Sequence, residues 1–469
     1  MEYSKPKKKP DMQAMLHPRT GSFRADRRLR GEFMRMHIPL AAHAKLNISR
    51  TVSDPIMFLD QFNANRVKEL IPIRWGKMLQ SPFAFLRGSA ALMAMDLSRS
   101  PVIDQNVQTC GDCHLNNFGA FATPERNIVF DLNDFDETLP APWEWDLKRL
   151  ATSFAVLARE INAAEHAREA AYALTNSYRK MTEKYSHMTI LDVWYDRIEW
   201  KHIIANTKNP ELAQKREERL QQAIQRTIRD YYFPKLTEQV DGCFLIKEKP
   251  PLIYHPKDHS FIDDFKKAIP MYRASLQEDK QRLFDRYKLE DVAMKVVGIG
   301  SVGTLCGVAL FMAADNDPLL LQIKEANDSV LEPYAGKSEY ANHGQRVVAG
   351  QRIAQTASDI FLGWTMFENG RHFYVRQLRD TKVKTDAELW SGADMVAAAE
   401  LMGAVLARAH ARSGDAAVIA GYLGQTDEFD HAIAEFALTY TDQVEADYKV
   451  LQTKAANGSI SFVQQADSD

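Results

Sequence analysis

Between Asp54 and Leu70 apolar side chains return at helical spacing, which predicts a helix there. Residues 74–97 continue the pattern, but Pro82 divides them, so a second helix is expected from near Ser81 or Phe83 to about Leu97. Residues 107–110 and 128–131 read as short strands. Residues 145–186, rich in alanine, predict two long helices with a break near Asn162 to Ala164. Helical patterning continues over 189–201 and 209–231, whereas residues 1–50, with Pro10, Pro18, Gly21, Gly31 and Pro39, read as irregular or loosely helical. The texture then changes. Residues 243–256 read as strand, turn, strand, and Phe261 to Tyr287 as helix. Val292 to Ala326 turns to period-two patterning, with a turn at Asn316-Asp317-Pro318. Gly344–Ile360 is helical, Thr365–Arg379 a hairpin turning at Glu368-Asn369-Gly370, and Asp394–Arg412 and Thr426–Lys454 are helices. The pattern predicts an α+β chain, a helical body (about 50–235 and 394–455) joined to a smaller strand-rich unit (about 240–380).

Composition narrows the function classes. The chain has 469 residues, 45% hydrophobic and 26% charged, with a formal net charge of −3. There is no global basicity to suggest a nucleic-acid partner. The first ten residues read as a solvated basic tail, while Arg19, Arg24, Arg27, Arg28, Arg30 and Arg35 leave a phosphate-facing role open. No apolar stretch reaches membrane-spanning length and no secretory core follows the N-terminus, so no membrane association is expected. Four cysteines (Cys110, Cys113, Cys243, Cys306) are too few for a disulfide scaffold, and the expectation is a cytoplasmic protein with reduced thiols.

The densest chemistry lies in CGDCHLNNFGAFATPERNIVFDLNDFD (110–136). Carboxylates and carboxamides flanking a buried strand are costly unless they coordinate something or bond to one another. Asp112 and Asn117 offer an acceptor-facing carboxylate and a metal-holding carboxamide. Asp131 and Asp134 compete to bridge a metal to phosphates, with Asp134 preferred, and Asp136 offers a second metal contact. Cys110-Gly111-Asp112-Cys113-His114 also matches the c-type haem pattern, and the same residues could hold zinc or form a redox dithiol; the missing export signal and ligand partners disfavour all three. A second cluster comes later. Gly298, Gly300, Ser301 and Gly303 form a glycine-rich turn between strand-like runs, and Lys324 follows 21 residues beyond Gly303 at the end of an apolar strand. Glycine loop, strand, turn, strand and lysine is the arrangement that grips nucleotide phosphates in protein kinases. The lysine needs a carboxylate partner; Glu332 and Glu339 are candidates, with Glu339 favoured.

GDCHLNNFG (111–119), VFDLNDFD (129–136) and WDLKRL (145–150) resemble the catalytic loop, metal loop and following helix of aminoglycoside and choline phosphotransferases. With SPFAFLRGSA, LLLQIKEA, GQRVVAGQR, ASDIFLGW and YVRQLRD, the chain is identified as similar to DUF2252, a bacterial family of the protein-kinase-like superfamily. The resemblance implies a two-lobed kinase-like fold with a large helical lobe and a small antiparallel-sheet lobe. The catalytic loop precedes the glycine loop, and the helix ending Leu406–His410 resembles the one that precedes the catalytic loop in the relatives, so the fold would be circularly permuted. Domain limits would be a basic extension (1–50), a helical lobe with the catalytic and metal loops (51–235), a nucleotide-binding lobe (236–380) and completing helices (381–469). Asp112 becomes the base or orienting acid, Asn117 and Asp134 metal ligands, Lys324 the phosphate-gripping lysine, and Gln377 part of the hinge beside adenine. The implied activity is ATP- and Mg²⁺-dependent phosphoryl transfer to a hydroxyl of a small-molecule acceptor. A nucleotide-binding pseudoenzyme and an AMP-transferring enzyme are the alternatives.

Overall fold

The computed structural model describes residues 23–46, 50, 54–207, 209–225, 231–258, 260–296, 302–378, 382–383 and 390–463. The N-terminal part is helical: α1 (Arg24–His37), α2 (Pro55–Gln61), α3 (Ile71–Met78), α4 (Pro82–Gly88) and α5 (Ala90–Leu97). The helix expected over 54–70 stops at Gln61. Residues 66 and 67 are drawn away to the small sheet unit, where Val67 N–H donates to Gly303 O at 2.7 Å and Arg66 Nη1 to Val302 O at 2.6 Å. Tertiary hydrogen bonding overrides helical periodicity there. Ser81 caps α4, its hydroxyl accepting from Ala84 N–H at 3.1 Å, with Pro82 at the first helical position. The expected helix to Leu97 is broken once more, at Ser89. The arginines of α1 serve as ties: Arg28 pairs with Glu183 and Arg27 with Asp415.

Four short strands follow, β1 (Asn106–Thr109), β2 (Phe118–Ala122), β3 (Ile128–Leu132) and β4 (Leu139–Pro142), with β1 paired to β4 and β2 to β3, both antiparallel. Helices α6 (Trp143–Glu160) and α7 (Ala167–His187) break where the pattern predicted, at Asn162 with φ +56°. Every residue of α6 from Trp143 to Ala158 is buried, so this helix is the axis of the body.

In the small unit β5 (Thr237–Val240) pairs with β6 (Cys243–Ile246), and β7 (Ile253–Tyr254) pairs with β8 (Lys288–Lys295). Residues 243–256 thus run strand, turn, strand as the pattern predicted, with an antiparallel bridge between Lys249 and Ile253, while each strand pairs with a neighbour outside the stretch. Helix α8 (Ser260–Ser275) precedes β8. The sheet continues through β9 (Cys306–Ala313) and β10 (Asp317–Glu325), then helix α9 (His343–Ala354), β11 (Gly363–Met366) and β12 (His372–Gln377). The six strands lie in the order β11-β12-β10-β9-β8-β7, all antiparallel. One face packs Leu319, Leu321 and Ile323 against Phe265 and Tyr272 of α8. Strand alternation puts Gln322 and Lys324 on the other face. A two-residue strand β13 (Lys382–Val383) joins the edge of β2, and α10 (Gly392–Ser413), α11 (Ala416–Leu423) and α12 (Glu428–Ala456) complete the body. Among the described residues no helix is long and apolar enough to cross a membrane.

Asp131 and Arg408 form an ion pair of 2.6 Å with neither side chain exposed, and Asp131 also accepts from Thr356 N–H at 2.8 Å. Asp131→Ala is expected to cost about 3–5 kcal/mol, since Arg408 would stay buried without its counter-charge, and Asp131→Leu with Arg408→Met to recover part of the loss. Urea unfolding of the three proteins measures this.

Candidate active site

The loop after β1 turns back at Gly111 (φ +82°), whose α-carbon faces the Glu137 carbonyl so closely that a β-carbon would lie 2.2 Å from its oxygen. That contact brings the two polar ends of the 110–136 stretch together. The loop backbone is held from below by α6: Asp146 accepts from Cys110 N–H (2.8 Å) and Gly111 N–H (3.1 Å). One helical turn further on, Arg149 reaches Asp112 Oδ1 through Nη2 at 2.5 Å and through Nε at 2.7 Å. Burial raises the Asp112 carboxyl above its usual range even though Arg149 opposes it. His114 Nε2 lies 3.7 Å from Asp112 Oδ2, and burial with the charges of Arg87 and Arg149 holds its imidazole well below its ordinary value, hence neutral. Asn117 donates from Nδ2 to Asp112 O at 2.6 Å, and its backbone carbonyl accepts from Asn133 N–H at 2.8 Å, which fixes it beside the loop carrying Asp134.

From the sheet, Lys324 forms an ion pair with Asp136, whose other oxygen accepts from Tyr374 Oη at 2.8 Å. Tyr374 stands directly across from Lys324 in the register of β10 and β12, and Arg376 across from Gln322, so these four side chains share the inner face. Arg376 Nε donates to Gln322 at 3.1 Å. Burial would raise the Asp136 carboxyl, but the Lys324 ammonium and the Tyr374 hydroxyl hold it below the usual range. Asp134 moves the other way, raised by burial and by the charge of Asp136. Lys324 is pushed well above its ordinary value, because Asp134 and Asp136 outweigh the effect of burial. Arg346 of α9 closes the seam, donating to Thr138 O (2.6 Å), Asp136 O (2.8 Å) and Asn327 O (2.8 Å).

The two clusters face one cleft of about 860 Å³, lined by Asp112, His114, Asn117, Asp134 and Asp136 from one side and Gln322, Lys324 and Arg376 from the other. Asp131 is not in it; its burial against Arg408 leaves Asp134 as the carboxylate open to a cation. Asn117 and Asp134 supply hard oxygen donors, and the excess negative charge that raises Asp134 is what a bound divalent cation would relieve, so the residues fit Mg²⁺. Asp136, expected as a second metal contact, has its oxygens engaged by Lys324 and Tyr374. Glu339, expected to pair with Lys324, is exposed and outside the cleft; α9 presents no acid, and Asp136 takes that place. Gln377 is half-buried at the end of β12, its N–H donated to Asp359, and does not line the cleft. Gly298, Gly300 and Ser301 lie outside the described residues. Gly303 has φ +93°, with the stem of Arg66 3.0 Å from where a β-carbon would sit. Cys110 and Cys113 are buried free thiols, the first raised well above its ordinary value and the second to about 11 by burial, so neither is a ready thiolate.

A family model described as an uncharacterized protein conserved in bacteria, DUF2252, matches residues 66–454. The chain belongs to this family. No curated protein and no solved structure matches it. The DUF2252 span holds all of the cleft lining except Leu59, Gln61, Phe62 and Asn65. Sequence reasoning did not single out Tyr374, Arg376, Glu137 or Arg66 as site residues. The first two were signalled by polar side chains at alternate positions of an otherwise apolar strand.

Glu137 lines the cleft, its Oε2 accepting from Val330 N–H at 2.8 Å, and burial raises it to about 7 against the pull of Arg346. A carboxyl whose folded value lies above its unfolded value of about 4.3 binds more protons in the native state, so stability falls as pH rises between those limits. Glu137→Gln is expected to reduce the decline of the urea midpoint between pH 5 and pH 7, leaving the part due to the other raised carboxyls, Glu144 (about 7), Asp112 and Asp134.

Proposed function

We propose that the cleft binds Mg²⁺-ATP and transfers a phosphoryl group to a hydroxyl of a small molecule. The observation behind this reading is the convergence of Asp112, Asn117 and Asp134 with Lys324 on one cleft, the Lys324–Asp136 pair joining residues 188 apart in the chain. Two features of the fold support a permuted kinase-like arrangement. Gly303, with φ +93°, lies just before the second strand of the sequential run β8, β9, β10, the lysine stands one residue from the end of the third, and a helix separates it from the last pair. The C-terminal end of α10 also abuts β1, Ser413 Oγ accepting from Gln108 N–H at 2.8 Å, so in space α10 leads into the catalytic loop although the chain does not.

In this reading Lys324 and Arg376 receive the phosphates, while Asn117 and Asp134 hold the metal. Bound Mg²⁺ supplies charge neutralisation on the phosphate oxygens. Arg149 fixes Asp112 through Oδ1, leaving Oδ2 to take the hydrogen bond, and then the proton, of the acceptor hydroxyl. The raised Asp112 carboxyl is a better base than a solvated one. Positioning and preorganised charge would supply most of the rate.

Calorimetric titration of ATP with and without Mg²⁺ tests it. Wild type should bind in a metal-dependent manner, and Lys324→Ala and Asp134→Asn should each weaken binding by about tenfold or more, the worth of one charge-assisted contact. Asp112→Asn should bind normally but lose about 10²–10⁴ in transfer rate. Binding indifferent to metal and to both substitutions would sink the assignment.

A further inference from the structure

We propose that Arg74, with Arg66 and Arg87, forms an oxyanion subsite at the body side of the cleft, so that the acceptor is a hydroxyl compound carrying a phosphate or carboxylate group. The choice of acceptor rests on the phosphotransferase reading; the subsite itself does not.

Arg74 of α3 is only 3% exposed yet lines the cleft. Its Nη2 donates to Gly88 O at 2.8 Å, while Nε and Nη1 are buried without a hydrogen-bond partner. No carboxylate of the described residues pairs with it. The acid that bears on it, Asp60, is exposed and already accepts from Asn63 at 2.9 Å. The Trp75 ring, 5.4 Å from Cζ, offers only a cation–π contact. A buried guanidinium lacking a counter-charge is costly, and the expense is relieved when an anion arrives. Arg66 and Arg87 line the same cleft, giving three guanidinium groups where forked donors suit a planar or tetrahedral oxyanion.

Helix α4 sets the spacing to the reacting centre. Its Leu86 carbonyl accepts from Arg149, which holds Asp112, and its Gly88 carbonyl accepts from Arg74. The subsite is thus two residues along one helix end from the contact that positions the proposed base. Lys324 and Arg376 face the cleft from the sheet instead, which leaves one set of cations for the nucleotide and one for the acceptor.

The test titrates inorganic phosphate, and in parallel malonate, into wild type, Arg74→Met, Arg74→Lys, Arg87→Gln and Lys324→Ala. Each is run with and without Mg²⁺ and β,γ-imido-ATP, which fills the nucleotide-phosphate position. Wild type should bind an anion in the presence of the analogue. Arg74→Met should weaken it about tenfold or more, with Arg74→Lys and Arg87→Gln between. Lys324→Ala, titrated at analogue concentrations raised to saturate its weakened nucleotide position, should keep this anion binding. The preferred anion distinguishes a phosphomonoester from a carboxylic acid. Melting without ligand shows that each variant is folded, Arg87→Gln serving if Arg74→Met is not. Absence of anion binding in wild type, equal binding in folded Arg74→Met, or a loss confined to Lys324→Ala overturns the subsite. Arg74-dependent anion binding without nucleotide binding would instead overturn the phosphotransferase reading and leave the subsite standing.

Discussion

A lysine ammonium inside a sheet cannot remain unpaired, and the structure depends on how that demand is met. Lys324 ends an apolar strand with 4% of its surface exposed, and its partner is Asp136, from a loop of the helical body. The small sheet unit is therefore tied to the body by a charge pair that neither side could bury alone. Tyr374 and Arg346 add hydrogen bonds to the same loop, and the contacts of Arg66 and Val67 with Val302 and Gly303 add a second seam. The pair also separates two carboxylates that are neighbours in sequence. Asp136 is held ionised by Lys324, whereas Asp134 is raised by burial and by that same negative charge. Environments that push like groups apart give them different work. Asp136 is a structural anion, and Asp134 is the one left with charge to share.

The other half of the cleft owes its geometry to a single buried helix. Asp146 and Arg149 lie three residues apart on α6, hence on one face. The first satisfies two amides of the loop after β1 and the second fixes the Asp112 carboxylate that this loop presents. His410 of α10 reaches the same Asp146 at 3.4 Å and accepts or donates to Tyr178 at 2.9 Å, so the last third of the chain supports a loop met in its first quarter. Because every residue from Trp143 to Ala158 is enclosed, these polar groups have little freedom to rearrange.

Much of this was legible beforehand. The break between α6 and α7, the strand over 128–131, the hairpin at Glu368-Asn369-Gly370 and the strand bearing Lys324 all follow from periodicity and turn chemistry. The failures share a cause. The helix expected to Leu70 ended early because Arg66 and Val67 found partners at Val302 and Gly303. Glu339 was a plausible partner for Lys324 by proximity in sequence, but the nearest acid in space lies 188 residues away.

The sequence by itself determined which residue types could do chemistry, since a polar cluster around a buried strand and a lysine in an apolar strand are intelligible from local patterning. Only the tertiary structure decided which carboxylate serves which purpose. Asp131, Asp134 and Asp136 share one side-chain chemistry, and their neighbours alone distinguish them: Arg408 for the first, open cleft for the second, Lys324 and Tyr374 for the third. Ionisation depends on distance to charge and water, and those distances are set by contacts between residues far apart in the chain.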